Sequence, residues 1–126
     1  MKNIGFLNIK FYIRIALIFS LISLSSCSDD PTVAMVKNGK LESCTTKSLV
    51  EMVDGFLGSP SWSSGITEEK QKFVNIEGMM TVAGKEVKAL LQFFVDDETF
   101  QYNALEFNGV PQNNLIALGL LSKMCE

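Results

Sequence analysis

The side chains that could do chemistry in this chain of 126 residues are three cysteine thiols and a set of carboxylates. The sequence contains no histidine, which is the usual base beside a serine or cysteine nucleophile and the commonest transition-metal ligand. It also contains no glycine-rich phosphate loop of the dinucleotide-binding or P-loop type. We therefore predict that the protein is not an enzyme and that it holds no metal and no cofactor.

The carboxylates have ordinary explanations. The acidic run 96–98 could attract a cation, but a solvated hairpin turn accounts for it better. Glu77, Glu86 and Glu106 could supply a catalytic pair, although nothing in the sequence sets the distance between them. Charged residues on an exposed strand face are common, so we assign these carboxylates no catalytic role.

The first 26 residues differ from the rest of the chain because they carry three basic residues and no acid. An apolar stretch over residues 15–24 is followed by two serines and Cys27. This is the plan of a secretory signal peptide, and its apolar part is too short for an ordinary membrane span. The alternatives are a simple secreted protein and an uncleaved anchor. An anchor would bury Lys10 and Arg14 at about 2.5 to 3.5 kcal/mol each.

The sequence Leu24-Ser25-Ser26-Cys27 resembles the lipobox of bacterial lipoprotein precursors. This resemblance implies that the Cys27 thiol is acylated, that the chain is cleaved before Cys27, and that acyl chains on Cys27 hold the mature protein on the membrane. Several acyl chains make such an anchor stable, at about 0.8 kcal/mol per buried methylene. We therefore expect residues 1–26 to be a signal peptide and residues 27–35 to be a lipidated N-terminus with a linker.

The resemblance also implies a location in the bacterial cell envelope. Ser28 follows Cys27, whereas enteric lipoproteins retained in the inner membrane carry Asp at that position. The outer membrane is therefore favoured in an organism that has one. The protein could lie on either its periplasmic face or its surface face. Residues 27–126 hold 8 basic and 14 acidic residues, a net charge of −6. That sign argues against a nucleic-acid partner, because phosphate binding needs clustered Lys and Arg.

Cys44 and Cys125 remain once Cys27 is set aside, and an even remainder in an exported protein indicates one disulfide. The chain-entropy model values a loop of this size at roughly 4 to 5 kcal/mol. A metal site is the rival interpretation. It is weak, because two distant cysteines without histidine fall short of the usual four ligands.

The periodicity behind the linker predicts a helix beginning at Leu49, with Ser48 and Glu51 at capping-box spacing. Three β-rich runs over residues 73–82, 87–95 and 100–108 are separated by short turns, which predicts an antiparallel meander. A last helix begins after Asn113 and is apolar nearly all round, so we expect it to be well buried.

The predicted fold of residues 36–126 is therefore a small α+β domain. In it, a three-stranded antiparallel meander has one helix before it and one helix after it, and both helices pack on one sheet face. Alternation in the middle strand directs one set of side chains to the core, namely Val87, Ala89, Leu91, Phe93 and Val95.

Leu90 and Phe94 fall on the opposite face of that strand. Apolar side chains on an otherwise polar sheet face can mark a partner interface. The alternatives are that a loop or the linker covers them, or that isolated apolar exposure has no role.

Trp62 lies in a segment rich in Ser and Gly, which we predict as a loop over residues 59–69. A lone tryptophan in such a loop can be a platform for a ligand. More often it covers the edge of a small core.

Three stretches of the folded part, residues 36–41, 60–63 and 105–113, resemble a small uncharacterised α+β domain of bacterial proteins that sometimes lies behind a zinc ribbon. This chain lacks the cysteine pairs of the ribbon and has Cys27 in that place. The resemblance implies a compact α+β unit and no catalytic residue.

These features together predict a membrane-tethered envelope lipoprotein whose folded part is a non-catalytic module for protein binding or envelope assembly. Its partners would be the membrane, through the acyl chains on Cys27, and an envelope protein bound through Leu90 and Phe94. The alternative is a lipoprotein that binds a small ligand in a pocket near Trp62.

Overall fold

The structure, a computed structural model, describes residues 30–126. Their helices and strands are, in chain order, α1 Pro31–Asn38, α2 Leu49–Asp54, β1 Gly58–Ile66, β2 Lys72–Val82, β3 Lys85–Asp96, β4 Thr99–Phe107, β5 Val110–Pro111 and α3 Asn114–Met124. The five strands form one antiparallel sheet in the order β1-β2-β3-β4-β5.

Helix α1 begins where the sequence predicts a linker. The Asp30 carboxylate caps it by accepting from the Thr32 backbone N–H at 2.8 Å, and Pro31 occupies the first turn, where its missing N–H is not needed. The Ser64 hydroxyl of β1 donates to the same carboxylate. These hydrogen bonds, that from Ser64 first, hold the pKa of Asp30 below its usual value.

Val33 and Val36 are the buried residues of α1, and Val33 is only 4% exposed. Residues 31–35, which the sequence assigns to a linker over 27–35 ahead of a domain over 36–126, therefore belong to α1 and contribute Val33 to the core. This helix was not predicted because the short polar stretch around Pro31 has the composition of a linker. Its place depends on two valines that reach the core.

Helix α2 has the capping box that the sequence predicts. The Glu51 backbone N–H donates to the Ser48 hydroxyl at 3.4 Å, and the Ser48 backbone N–H donates to the Glu51 carboxylate at 3.1 Å. The helix ends at Asp54. Leu57 is nevertheless buried, because the turn after Gly55 carries it into the core.

Strand β1 replaces the loop that we predict over residues 59–69. Gly, Ser and Pro have low strand propensity, so pairing with β2 rather than local preference produces this strand. Pro60 is tolerated because β1 is an edge strand, and the register shifts between Gly58 and Ser61. The pairing places Trp62 opposite Ile76.

The meander of β2, β3 and β4 follows the predicted strands closely. Two-residue loops connect the strands, and Ala83 and Asp97 have positive φ angles of 50° in these loops. The expected alternation along β3 is confirmed, since Ala89, Leu91 and Phe93 are fully buried.

Strand β5 and helix α3 complete the fold. A turn at Asn108 and Gly109, both with positive φ, returns the chain beside β4 for only two residues. The chain then leaves the sheet, and the Asn113 side chain caps α3 by accepting from the Ile116 backbone N–H at 3.0 Å.

The predicted three-stranded meander with one helix on each side is therefore wrong, because the described residues form five strands and three helices. The three additional elements are short or have weak local signals. Each depends on contacts with distant parts of the chain.

A single core forms between one sheet face and all three helices. Helix α3 contributes one side to it, through Ala117, Leu120, Leu121 and Met124. The expectation that α3 is well buried is wrong, because Leu115 is 79% exposed and Leu118 is 60% exposed. The composition of a helix does not show how many of its sides meet other parts of the protein. None of the helices within residues 30–126 is long and apolar enough to cross a membrane.

The burial of Val33 leads to a stability prediction. Val33→Ala removes two buried methyl groups and should lower the free energy of unfolding by about 2 kcal/mol. Urea denaturation of the full chain in detergent measures this change. The matched control is Val110→Ala, since Val110 is 59% exposed and its truncation should cost no more than about 0.5 kcal/mol. Equal urea midpoints for the two variants would contradict the assignment of α1 to the core.

Candidate functional site

A cleft of about 790 Å³ lies beside β4. Residues 98–102 form one wall, residues 38–43 between α1 and α2 form another, and Leu118 and Leu121 of α3 form the third. Met35 of α1 also lines it. We call this feature the β4 cleft. It contains none of the site residues that the sequence predicts.

Among residues 30–126, no strand lies beside the sheet edge inside the β4 cleft. Strand β5 pairs only with Glu106 and Phe107 of β4, and the Gln112 backbone N–H adds one bond to the Leu105 carbonyl at 2.8 Å. Within residues 30–126, residues 99–102 are therefore paired with β3 on one side and with no strand on the other. The edge position beside β4 is filled over only part of its length.

The direction of the backbone groups follows from the hairpin between β3 and β4. Asp96 and Thr99 flank a two-residue loop, so they exchange hydrogen bonds with each other, and bonded and non-bonded pairs alternate from there. Gln101 accordingly bonds to β3, whereas the N–H and C=O groups of Phe100 and Tyr102 point away from β3 and into the cleft. Within residues 30–126, no hydrogen bond uses these four outward groups.

An independent contact supports this alternation. Even-numbered residues of β3 must direct their backbone groups toward β4 if Asp96 does. The Lys88 carbonyl does so, accepting from the Asn108 backbone N–H at 2.9 Å, and the Lys88 N–H donates to the Asn108 side chain at 2.9 Å.

Aromatic packing holds the strand wall in place. The Phe93 ring makes edge-to-face contacts with the rings of Phe100 and Tyr102, at centroid distances of 5.8 and 6.3 Å. Gly39 lies against the Phe100 ring, and a Cβ atom at this position would collide with it. The absence of a side chain therefore lets the end of α1 approach β4. Burial raises the pKa of the Tyr102 phenol above its ordinary value.

The expected disulfide between Cys44 and Cys125 is confirmed, with an S–S distance of 2.04 Å. It connects the segment between α1 and α2 to the last turn of α3, and so it joins two walls of the β4 cleft covalently. The Thr46 hydroxyl lies 3.9 Å from the Cys44 sulfur and 3.8 Å from the Cys125 sulfur. A smaller cleft of about 330 Å³ lies next to this bond and shares Leu118 and Leu121 with the β4 cleft.

Among the charged groups that line the β4 cleft, carboxylates outnumber ammonium groups. Glu42 and Glu98 contribute carboxylates, and Lys40 contributes one ammonium group. The hairpin turn adjoining Glu98 carries Asp96 and Asp97, both exposed. A positively charged ligand is therefore favoured at the end of the cleft near this turn.

Leu90 and Phe94 lie on the sheet face opposite the core, as the alternation along β3 predicts, but both are half-buried rather than exposed. Gln92 separates them and bonds to two neighbours, donating to Asn75 at 3.1 Å and accepting from Asn103 at 2.7 Å. A polar row thus divides this face, and the structure does not join Leu90 and Phe94 into one apolar patch.

Phe94 pairs with Phe73 of β2. Leu90 lies in register between Glu77 of β2 and Glu106 of β4. The candidate carboxylates are therefore not brought together: Leu90 separates Glu77 from Glu106, and Glu77 forms an ion pair with Lys88 at 3.0 Å. Glu86 lies farther along β3, opposite Thr81.

Trp62 is half-buried and packs against the core from β1. The Lys37 ammonium of α1 lies 5.4 Å from the centroid of its ring, in cation–π range. Trp62 does not line the β4 cleft. A ligand pocket near Trp62 stays a prediction, and Cys27 lies outside the described residues.

Sequence reasoning missed the β4 cleft because the cleft results from the arrangement of elements distant in the chain. One local signal was present: Pro111 and the capping residue Asn113 leave room for only a very short strand after the turn at Gly109. Within residues 30–126, a strand as long as β4 beside so short a partner keeps part of its edge free.

Comparison of the chain with protein-family models, with curated proteins and with solved structures gives no match.

The disulfide leads to a second stability prediction. The double variant Cys44→Ala/Cys125→Ala should lose about 4 to 5 kcal/mol of unfolding free energy, because the 81-residue separation makes the closed loop long. Urea denaturation of the full chain in detergent measures this loss, with the reduced wild-type chain as the control that should match the double variant. An oxidised wild-type chain with the same midpoint as the double variant would contradict the prediction.

Proposed function

We propose that this chain is a lipid-anchored protein of the bacterial cell envelope whose folded part binds a protein partner and catalyses no reaction. The observation that carries the proposal is the exposed apolar side of α3. Leu115 and Leu118, one helical turn apart, are 79% and 60% exposed, and Ile116 is exposed beside them. Single exposed leucines are ordinary, but this apolar side continues into a cleft and so forms a surface suited to a partner.

The groups that line the β4 cleft support binding rather than catalysis. They are carboxylates, one lysine, amides, hydroxyls and the Tyr102 phenol, whose pKa burial raises further above neutral pH. The chain has no histidine to act as a base at that pH. An apolar surface with a polar rim is the usual arrangement of a recognition site.

The proposed anchor is the acylated Cys27, on the basis of Leu24-Ser25-Ser26-Cys27. Only Ser28 and Asp29 separate Cys27 from Asp30, the capping residue of α1. An extended residue spans at most about 3.3 to 3.6 Å, so the start of α1 would lie within roughly 10 Å of the anchored residue. Under this proposal, the folded part stands close to the bilayer, and its partner is a protein of the same envelope.

The anchor is tested by expressing the wild-type chain and Cys27→Ser in a bacterium and measuring the masses of the purified proteins by mass spectrometry. The wild-type protein should begin at Cys27 and carry acyl groups, whereas Cys27→Ser should keep its leader and lack them, because acylation needs the thiol. Cys44→Ser is the matched control and should be processed like the wild type. A Cys27→Ser chain that is still cleaved before position 27 would sink the anchor proposal.

Partner binding is tested by placing a photo-crosslinking amino acid at Leu118 in the full chain, in cells. A discrete adduct that contains a second envelope protein should form on irradiation, because this side chain lies on the proposed binding surface. The same amino acid at Glu86, an exposed position at the far end of the sheet from the β4 cleft, serves as the control and should give none. Absence of an adduct at Leu118, or identical adducts at both positions, would contradict the proposal.

A further inference from the structure

We infer that the partner enters the β4 cleft as an extended segment and adds a strand beside residues 100–102, with apolar side chains at alternate positions and a basic side chain near Glu42 and Glu98. This inference rests on the proposed partner-binding function and specifies how the partner is held. Strand addition to an exposed sheet edge is a general mode of peptide recognition, in which main-chain hydrogen bonds hold the segment and pockets select alternate side chains.

The free edge offers the backbone groups that such a segment needs. Phe100 and Tyr102 are two residues apart, so their outward N–H and C=O groups match the repeat of a second strand. An added strand would make four hydrogen bonds there. It would lie in line with β5, which fills the same edge position beside Glu106 and Phe107. Because β5 blocks one end, the segment can extend only toward the turn at Asp97.

The walls of the cleft determine which side chains of the segment are buried. Cross-strand pairs direct their side chains to the same face, so residues opposite Phe100 and Tyr102 point to the helical side of the sheet. That side presents Leu41 and Leu118 to the cleft. The segment should therefore carry apolar residues at these positions and polar residues between them. Leu118, now 60% exposed, would be covered.

The charge of the cleft selects a basic segment. Two carboxylates, of Glu42 and Glu98, line the cleft, whereas Lys40 contributes the one positive charge in its lining. Asp97 extends the acidic surface at the open end of the cleft. Residues 30–126 as a whole hold 8 basic and 13 acidic residues, a net charge of −5. A second copy of the chain would bring the same negative charge to the edge, so we assign the position to a basic segment of another protein.

The opposite edge of the sheet shows what a protected edge looks like in this fold. Strand β1 carries Pro60, a register shift between Gly58 and Ser61, and a positive φ angle of 49° at Ser59. These features discourage the addition of another strand. Residues 99–102 of β4 carry no proline and no lysine, and their backbone is paired regularly with β3. The contrast between the two edges favours β4 as the one that accepts a strand.

The test begins with random heptapeptides displayed on phage, selected against the oxidised full chain in detergent. Enriched peptides should alternate apolar and polar residues and carry Lys or Arg near one end. One enriched peptide is then synthesised with each backbone amide methylated in turn. Methylation at one set of alternate positions should weaken binding by about tenfold or more, because it removes donors to the Phe100 and Tyr102 carbonyls, whereas methylation between them should change it little.

Variants of the chain locate the site. Leu118→Ser should weaken peptide binding by about tenfold, while Ile66→Ser, at an exposed position of β1 outside the cleft, should leave peptide binding unchanged. Glu98→Lys should also weaken peptide binding, and Glu86→Lys should not. All four positions are exposed, so equal urea midpoints can verify that each variant is folded.

Three results would overturn the inference. The first is the absence of enriched peptides. The second is peptide binding that is unchanged both by methylation at every position of the peptide and by Leu118→Ser in the chain. The third is a dimer in sedimentation that Leu118→Ser dissociates, because it would assign the edge to a second copy. If the Leu118 crosslink to an envelope protein still forms in any of these cases, the proposed function stands and only the strand mode fails. If that crosslink is absent as well, both fail.

Discussion

The Cys44–Cys125 disulfide is the constraint on which the rest of the structure depends. Helix α3 touches the core along one side only and follows a strand of two residues. Leu121 and Met124 pack its far end on the core, and the disulfide fixes that end covalently. The bond ties that end to the segment between α1 and α2, which Gly39 brings against the ring of Phe100. Two walls of the β4 cleft are thereby linked to each other and to the strand that forms the third.

The open edge of β4 has a simple structural cause. The chain returns beside β4 at Val110, but the Asn113 cap starts a helix before the strand can extend. A helix satisfies its own backbone groups, so α3 covers the neighbouring space with side chains. In the part of the chain that the structure describes, the edge groups of Phe100 and Tyr102 therefore stay unpaired. The exposed leucines of α3 and the free edge of β4 are therefore two results of the same early departure from the sheet.

Patterns carried by a few neighbouring residues could be predicted from the sequence. The Ser48 and Glu51 capping box and the alternation of β3 depend on local hydrogen bonding and on the strand period, and the pairing of Cys44 with Cys125 follows from a count. Strand β1 could not be predicted, because residues 59–69 have loop composition and become extended only by pairing with β2. The β4 cleft was beyond reach for a related reason. It depends on where β5 ends and on which side of α3 faces the core. The periodicity of the sequence indicates neither of these features.

The most direct test of the account is the hydrogen exchange of single backbone amides, measured by NMR on the free, oxidised full chain in detergent. If the edge of β4 is open, the amides of Thr99 and Gln101 should exchange slowly, because they bond to β3. Those of Phe100 and Tyr102 should exchange close to the rate of an unstructured peptide. Four equally slow amides would mean that another segment or another copy already pairs with this edge, and would contradict the central claim of an open strand-binding site.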